Sequence, residues 1–393
     1  MKLIKQKTDQ AVEILNELNI DLWLTYVRKT SEIHDPSLYF LLEETWLTWQ
    51  TVFLISRDGK KIVICGRYDV PNLECLGIYD TIIGYDESIK SDLLKVLEEL
   101  NPSSIAINFA EDNVAADGLT HGMWIRLNKM LENTPYKDRL ISSDRLLAAL
   151  RGRKTLTEVE RIKKAVEISE RGHKKLANSV KLGMNEKDLE KILLDFAQEN
   201  NVTVSYPPLI NIGSETTIGH GKGSAEIVLK PGDLINIDFG VFYEGYASDI
   251  QRLNYVLREN EEQPPEEIQK AFRKVIEAIS TGAEKLKPGI QGWEVDFAAR
   301  KIITDAGYEE FKHALGHQVG RNVHDGGCLL GPKWEKYGQS VMHKVEEGQV
   351  FTLELHVFVE NHGFCSIEED VIVTKDGCEF LSKRQVELPL LKL

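Results

Sequence analysis

Asp238, Asp249, His317, Glu354 and Glu368 each interrupt an apolar stretch of the sequence. The first two lie in INIDFGVFYEGYASDIQR and the last two in FTLELHVFVENHGFCSIEEDVIV, with the imidazole between them in HALGHQVGRNVHD. A lone carboxylate among strand-like apolar residues is costly to bury. Several carboxylates and an imidazole converging in such a shell need cations to hold them together. The chemistry this predicts is a hydrolytic centre built on two divalent metal ions.

The donor set limits the metal. Carboxylates with a single imidazole and no thiolate favour Mn²⁺, with Co²⁺, Fe²⁺ or Zn²⁺ as alternatives. Two ions bridged by carboxylates would sit about 3.5–4 Å apart, with a hydroxide between them, and would polarise a carbonyl. His313, His317 and His324 fall close together, and His220 lies upstream in IGHGKGS. A His-xxx-His spacing suits one face of a helix or of a strand. Gly316 and Gly320 argue against the helix, and the segment lacks the glutamate of an HExxH zinc site. A lone histidine is usually a core or surface residue, but a group beside acid-bearing strands points to a site. Neutral imidazoles there would donate hydrogen bonds to a developing oxyanion or a leaving group.

Strand arithmetic places the first acids. If Glu244-Gly245 is a two-residue hairpin turn, Tyr243 pairs with Tyr246 and Asp238 lies opposite Gln251. Asp249 then shares the face of Gln251 and of Asp238, close enough for one ion. The plainer alternative is two separate acids at strand ends. The second pair stays open at this level. A two-residue turn at Asn361-His362 puts Glu369 on the face of Glu354, whereas a three-residue loop through Gly363 puts Glu368 there.

The elements that must position these residues divide in two. From residue 1 to about 150 the pattern alternates helix (6–18, 91–100) and strand (21–26, 51–56, 61–65, 104–108), with Asp58-Gly59 as a hairpin turn. This is a small α/β domain expected to shape or cover a site. Residues 151–393 form a second, α+β domain. Helices at 157–181, 185–199, 265–286 and 292–306 alternate with strands of a largely antiparallel sheet, in two halves that hint at duplication. The basic run Arg151, Arg153, Lys154 at the boundary reads as a solvated face, with phosphate binding as the alternative. At 393 residues the chain exceeds the roughly 250–300 at which single cores stop growing.

Composition is that of a soluble globular protein, 42% apolar and 28% charged. The net charge of −14 argues against nucleic acid or an anionic membrane as partner. The cysteines number five, an odd count without CxxC spacing, and suggest neither a disulfide framework nor a zinc ribbon. No signal-peptide core or membrane-span run is evident, so a cytoplasmic location is expected.

In this order and context the residues resemble the pita-bread metallopeptidases: aminopeptidase P, prolidase and methionine aminopeptidase, with creatinase as a metal-free relative. The resemblance rests on IDFG, GYASDIQR, HALGHQVGRNVHD and IEEDVIVT, and runs from about residue 157 to the end. The upstream segment is similar to the creatinase/prolidase N-terminal domain, which favours the Xaa-Pro branch. The resemblance implies a C-terminal pita-bread (creatinase/aminopeptidase) domain preceded by a smaller α/β domain. By the same mapping Asp238 binds one metal, His317 and Glu354 bind the other, and Asp249 and Glu368 bridge both. It selects Glu368 over Glu369. It makes Glu354 the general base and His220, His313 and His324 the substrate-facing histidines. It further implies a small peptide substrate cleaved at an Xaa-Pro bond and a homodimer in which one N-terminal domain helps wall the partner's site.

The chain departs from this pattern at two places. Leu355-His356 stands where the family reads Pro-Gly after the fourth ligand, and Ser366 stands where it commonly has arginine. A serine supplies no bidentate cationic clamp for a dipeptide carboxylate. His356 and His362 read as replacement polar contacts or solvated loop residues, His362 as the latter. The departures keep open a hydrolase or lyase acting on a small amide or amidine metabolite. A non-catalytic peptide-binding module is the third reading, and it would be expected to have lost ligands kept here.

Overall fold

The computed structural model describes residues 3–42, 46–214 and 223–393. The chain forms two compact units, Met1–Arg151 and Gly152–Leu393. No helix among the described residues is long and apolar enough to cross a membrane.

The first unit is built on six strands: β1 (Leu22–Val27), β2 (Thr51–Ser56), β3 (Lys61–Gly66), β4 (Thr81–Tyr85), β5 (Ile105–Ile107) and β6 (Leu140–Ser142). They form one mixed sheet in the order β4-β3-β2-β1-β5-β6. β1, β2 and β3 are buried at every position, as expected of strands covered on both faces. One face packs under α1 (Leu3–Leu18), the short α2 (Val70–Glu74) and the start of the helix that ends the unit, through Trp23, Phe53, Val63 and Leu147. The other packs under α3 (Lys90–Leu100) and α4 (His121–Met130) through Leu24, Leu54, Leu97 and Leu127. The Asp58-Gly59 hairpin is present, with Gly59 at φ 95°.

After α5 (Asp144–Gly152) the second unit begins with α6 (Leu156–Ala177) and α7 (Glu186–Glu199). Each opens on a capping box, at Thr155 and Asn185, that satisfies otherwise orphaned amides. Strands β7 (Thr203–Val204), β8 (Leu209–Ile212), β9 (Leu234–Asp238), β10 (Val241–Tyr243), β11 (Tyr246–Ala247) and β12 (Gln251–Val256) follow. Next come α8 (Glu266–Lys285) and α9 (Gly292–Asp305), then β13 (Val350–Val359), β14 (Gly363–Val373), β15 (Cys378–Phe380) and β16 (Leu390–Leu391). The main sheet runs β13-β14-β12-β9-β8, with β15 beside β14 and β16 beside β12. Its pairs are antiparallel apart from β12 with β16.

Alternation along β13 and β14 divides their residues sharply. Phe351, Leu353, Leu355, Val357 and Val359, with Cys365, Ile367 and Val371, join the core formed with α8 and α9. The intervening residues project to the other side, where Glu354, His356 and Glu368 lie. The helices behind thus hold the acid-bearing face rigid.

The basic run is not the solvated face that its composition suggests. Arg151 is 2% exposed, donates to the Pro36 carbonyl and lies against the Phe40 ring. Lys154 Nζ sits 2.9 Å from Asp325 Oδ2, with both side chains out of solvent. His362, expected as a solvated loop residue, is also buried, with Nε2 3.2 Å from Glu267 Oε1. In each case a partner distant in sequence makes burial tolerable.

Removing one member of the Lys154–Asp325 pair strands a buried charge. Asp325→Ala is therefore expected to lower unfolding free energy by about 3–5 kcal/mol in urea denaturation, and Lys154→Met with Asp325→Leu to restore much of it. A loss below about 1 kcal/mol for the single variant would rule out a structural role for the pair.

Candidate metal centre

Strand register lays out the site. Asp238 on β9 is opposite Gln251 on β12, Gln251 is opposite Glu368 on β14, and Glu368 is opposite Glu354 on β13. Directly opposed residues of neighbouring strands point to one side of a sheet. Asp238, Gln251, Glu368 and Glu354 therefore form a single row across the strands. The turn that sets the first half of the row is the one expected: Tyr243 pairs with Tyr246, and Glu244 and Gly245 have φ of 45° and 76°. The second hairpin has a three-residue loop, Glu360 to His362, one residue earlier than the expected loop through Gly363. Val359 pairs with Gly363, and Glu368 lies on the face of Glu354 as that alternative required. Glu369 consequently faces away. It lies 2.9 Å from Arg252 Nη2 and accepts from Ser382 and the Gln385 amide.

His317 reaches the row because residues 315–319 run beside β13. Glu354 N donates to Leu315 O at 2.7 Å, and Thr352 N donates to His317 O at 2.9 Å. Any Cβ on Gly316 would lie 1.9 Å from the Thr352 carbonyl, so only glycine permits this approach. The segment is extended, as its glycines suggest. His317 Nε2 ends 3.5 Å from Asp249 Oδ2 and 3.8 Å from Glu354 Oε1. Donor atoms of Asp249, His317 and Glu368 all lie within 4.8 Å of one another. The His324 ring stands edge-on to His317 at 4.2 Å, and His313 Nδ1 is 3.9 Å from Glu354 Oε2. His220 lies outside the described residues.

Three residues that the sequence reading did not assign to the site complete it. The Tyr206 hydroxyl hydrogen-bonds both Asp238 and Asp249, from a loop 32 residues before Asp238 that carries no recognisable signal. Gln251 occupies the row itself and accepts from Ser366. Asp370, buried, accepts from the Asp249 amide at 3.0 Å. Its parity with Glu368, two residues earlier, could have revealed it.

Burial raises all of these acids above their ordinary values. It pushes Asp238 up to about 6, and burial together with the Asp238 charge pushes Glu354 up to about 8. Burial and neighbouring carboxylates hold Asp249 and Glu368 well above the usual range. Burial pulls His317 down to about 3 and His313 to about 4, keeping both imidazoles neutral at physiological pH. Among the described residues none of these four acids is ion-paired with lysine or arginine, and Arg252 is committed to Glu369. Clustered, uncompensated oxygens beside a neutral imidazole are a donor set that fits divalent cations.

Residues 160–375 match metallopeptidase family M24. The chain is 31% identical over 391 residues to the Xaa-Pro dipeptidase of Pyrococcus horikoshii, covering 99% of this chain and 100% of that protein. It belongs to metallopeptidase family M24. Among solved structures it resembles X-Pro aminopeptidase from Thermotoga maritima, with TM-score 0.71 and 25% identity over 98% of this chain and 99% of the other. It shares its fold with the Xaa-Pro dipeptidase from Bacillus anthracis, with TM-score 0.75 and 24% identity over 99% and 100%. The M24 chain thus combines a pita-bread domain with a smaller N-terminal domain, and it is a peptide hydrolase of a family that uses divalent metal.

The raised acids fix the sign of a pH effect in the metal-free M24 protein. Glu354 and Asp370, both at about 8 when folded, start from 4.5 and 3.8, so the folded chain holds extra protons. That stabilisation is full below the lower values and is lost as pH rises through 8. The buried histidines act oppositely but only below their ordinary 6.5. In chelator, the urea midpoint is therefore expected to fall between about pH 6.5 and 8, and added Mn²⁺ to flatten the slope. A midpoint rising with pH in chelator would contradict this electrostatic picture.

Proposed function

We propose that this M24 enzyme is a dinuclear peptidase that cleaves the amino-terminal bond of Xaa-Pro peptides, with Mn²⁺ as the preferred ion. The observation that carries the reading is the row of crowded carboxylates, Glu368 buried and Asp238 and Glu354 half-buried, with His317 at its edge and no lysine or arginine paired to them among the described residues. The relatives named Xaa-Pro dipeptidase and X-Pro aminopeptidase support the substrate class. In this reading Asp238 would hold one ion, His317 and Glu354 the other, and Asp249 and Glu368 both. When bound, the ions would supply Lewis acidity, polarising the scissile carbonyl and acidifying water.

The chain's own residues do the rest. Glu354, with its carboxyl shifted towards neutral pH, is suited to take the proton of the attacking water and pass it on. Water adds to the carbonyl carbon, the C–N bond breaks, and that proton goes to the departing prolyl nitrogen. His313, assigned to the substrate side, is neutral and 3.9 Å from Glu354. Both its ring nitrogens are engaged, by the Ala314 carbonyl and by His356, so its part here is to position Glu354 and His356. His324 packs on His317 and fixes its ring, and His220 is assigned the remaining substrate contact. The apolar core behind β13 and β14 keeps the donors in register. A second reading, hydrolysis of a small amide or amidine, draws on Ser366 and His356, which face each other beside the site.

The test is metal content with turnover. Asp249→Ala and Glu368→Ala are each expected to lose bound Mn²⁺ by elemental analysis and to lower kcat/KM on Xaa-Pro peptides by at least about a thousandfold. Unchanged metal content and turnover in both variants would sink the site assignment. Cleavage of small amides but of no Xaa-Pro peptide would favour the second reading.

A further inference from the structure

The row of acids is only the first step along the β13–β14 surface. One cross-strand pair further, on the same face, His356 is opposite Ser366, and one pair beyond that Phe358 is opposite Phe364. Ring contacts join these steps: His356 to Phe364 at 5.4 Å and Phe358 to Phe364 at 5.0 Å. Each step advances about 7 Å, about two residues of extended peptide. Phe358 is 48% exposed, unusual for an aromatic residue on a strand whose other face is core. β13 and β14 carry no lysine or arginine, and Arg252 on β12 is bound to Glu369 on the opposite side.

Hydrogen bonding fixes what the middle pair presents. His313 Nδ1 lies 2.7 Å from the Ala314 carbonyl, which only accepts, so that nitrogen carries the proton. His313 Nε2 is then bare and accepts from His356 Nδ1 at 3.0 Å. This leaves His356 Nε2, on a half-buried ring, as a lone-pair acceptor with no protein partner among the described residues. The Ser366 proton is engaged by Gln251 Oε1 and the Leu355 carbonyl. The pair therefore offers an acceptor and no cation.

Charge complementarity orients a peptide over this surface. A positively charged α-amino end belongs beside the acids, so the chain beyond the scissile bond runs towards His356 and the phenylalanines. The terminal carboxylate of a dipeptide would stop near the His356–Ser366 pair, facing a lone pair. Among the described residues the nearby Arg300 is engaged by Asp296 and the Phe311 and His313 carbonyls, and Lys336 by the Lys312 carbonyl. A further residue would instead bring an amide N–H to His356 Nε2 and an apolar side chain to Phe358 and Phe364. We infer that the site selects peptides extending, uncharged, past the residue after the scissile bond, preferring an apolar third residue to a free dipeptide. This rests on the Xaa-Pro reading above.

Steady-state hydrolysis of Ala-Pro, Ala-Pro amide and Ala-Pro-Phe by the Mn²⁺-loaded full-length protein tests it. The amide and the tripeptide are expected to exceed the dipeptide in kcat/KM by about tenfold or more, mainly through KM. Proline amide should bind more tightly than proline in calorimetry, a readout independent of turnover. Ser366→Arg should shift the preference towards the dipeptide, and His356→Phe should remove the amide advantage. If Ser366→Arg fails to fold, the wild-type comparison decides alone. A wild-type enzyme cleaving Ala-Pro as well as its amide overturns the inference and leaves the Xaa-Pro reading standing. No cleavage of any of the three by metal-bound protein overturns that reading, and the inference with it.

Discussion

The constraint on which the second unit turns is the crowding of carboxylates on one sheet face. Asp249 and Glu368 feel both loss of water and one another's charge, and no described lysine or arginine relieves either. A folded chain keeps such a cluster only if protons or metal ions neutralise it, or if packing elsewhere outweighs the repulsion. The core beneath β13 and β14 supplies that packing, and Tyr206 tethers Asp238 to Asp249. The same oxygens that cost stability are thus the candidate metal donors.

The strict alternation of β13 and β14 lets one strand pair serve both demands. Odd-numbered apolar positions meet α8 and α9, while even-numbered positions from Glu354 to Phe358 line the opposite face. A register slip of one residue would exchange the sets, burying leucines in the site and glutamates in the core. Ten paired positions and the left-handed Asn361 and Gly363 at the hairpin hold the register. The same geometry carries the surface from charged to neutral to aromatic, so the candidate metal site and the proposed specificity surface share a scaffold but not residues.

Much of this was legible in the chain. Glu244-Gly245 is a strong two-residue turn, and counting back from it places Asp238 opposite Gln251 without knowledge of the rest. The helices fall within a few residues of the periodic pattern, capped at Thr155 and Asn185 as local chemistry dictates. The basic run and His362 misled because their burial depends on Asp325 and Glu267, which lie far away in sequence. Tyr206 was invisible for the same reason: its role is defined by two aspartates, one ending β9 and one just before β12, that sequence cannot fold against its loop.

What the sequence by itself determined is therefore local: where strands and helices run, which turns close hairpins, and which acids interrupt apolar stretches. Periodicity and turn chemistry act over a few residues and leave their mark there. Turn arithmetic leaves Glu368 and Glu369 open, and only the family resemblance favours Glu368. The tertiary structure decided the pairing physically, because a loop of two residues or three near Asn361 suits the sequence and each choice flips every following side chain. It also decided which acids share a space and which cations do not reach them. Those outcomes follow from long-range packing and from charge interactions between segments distant along the chain, which no local pattern encodes.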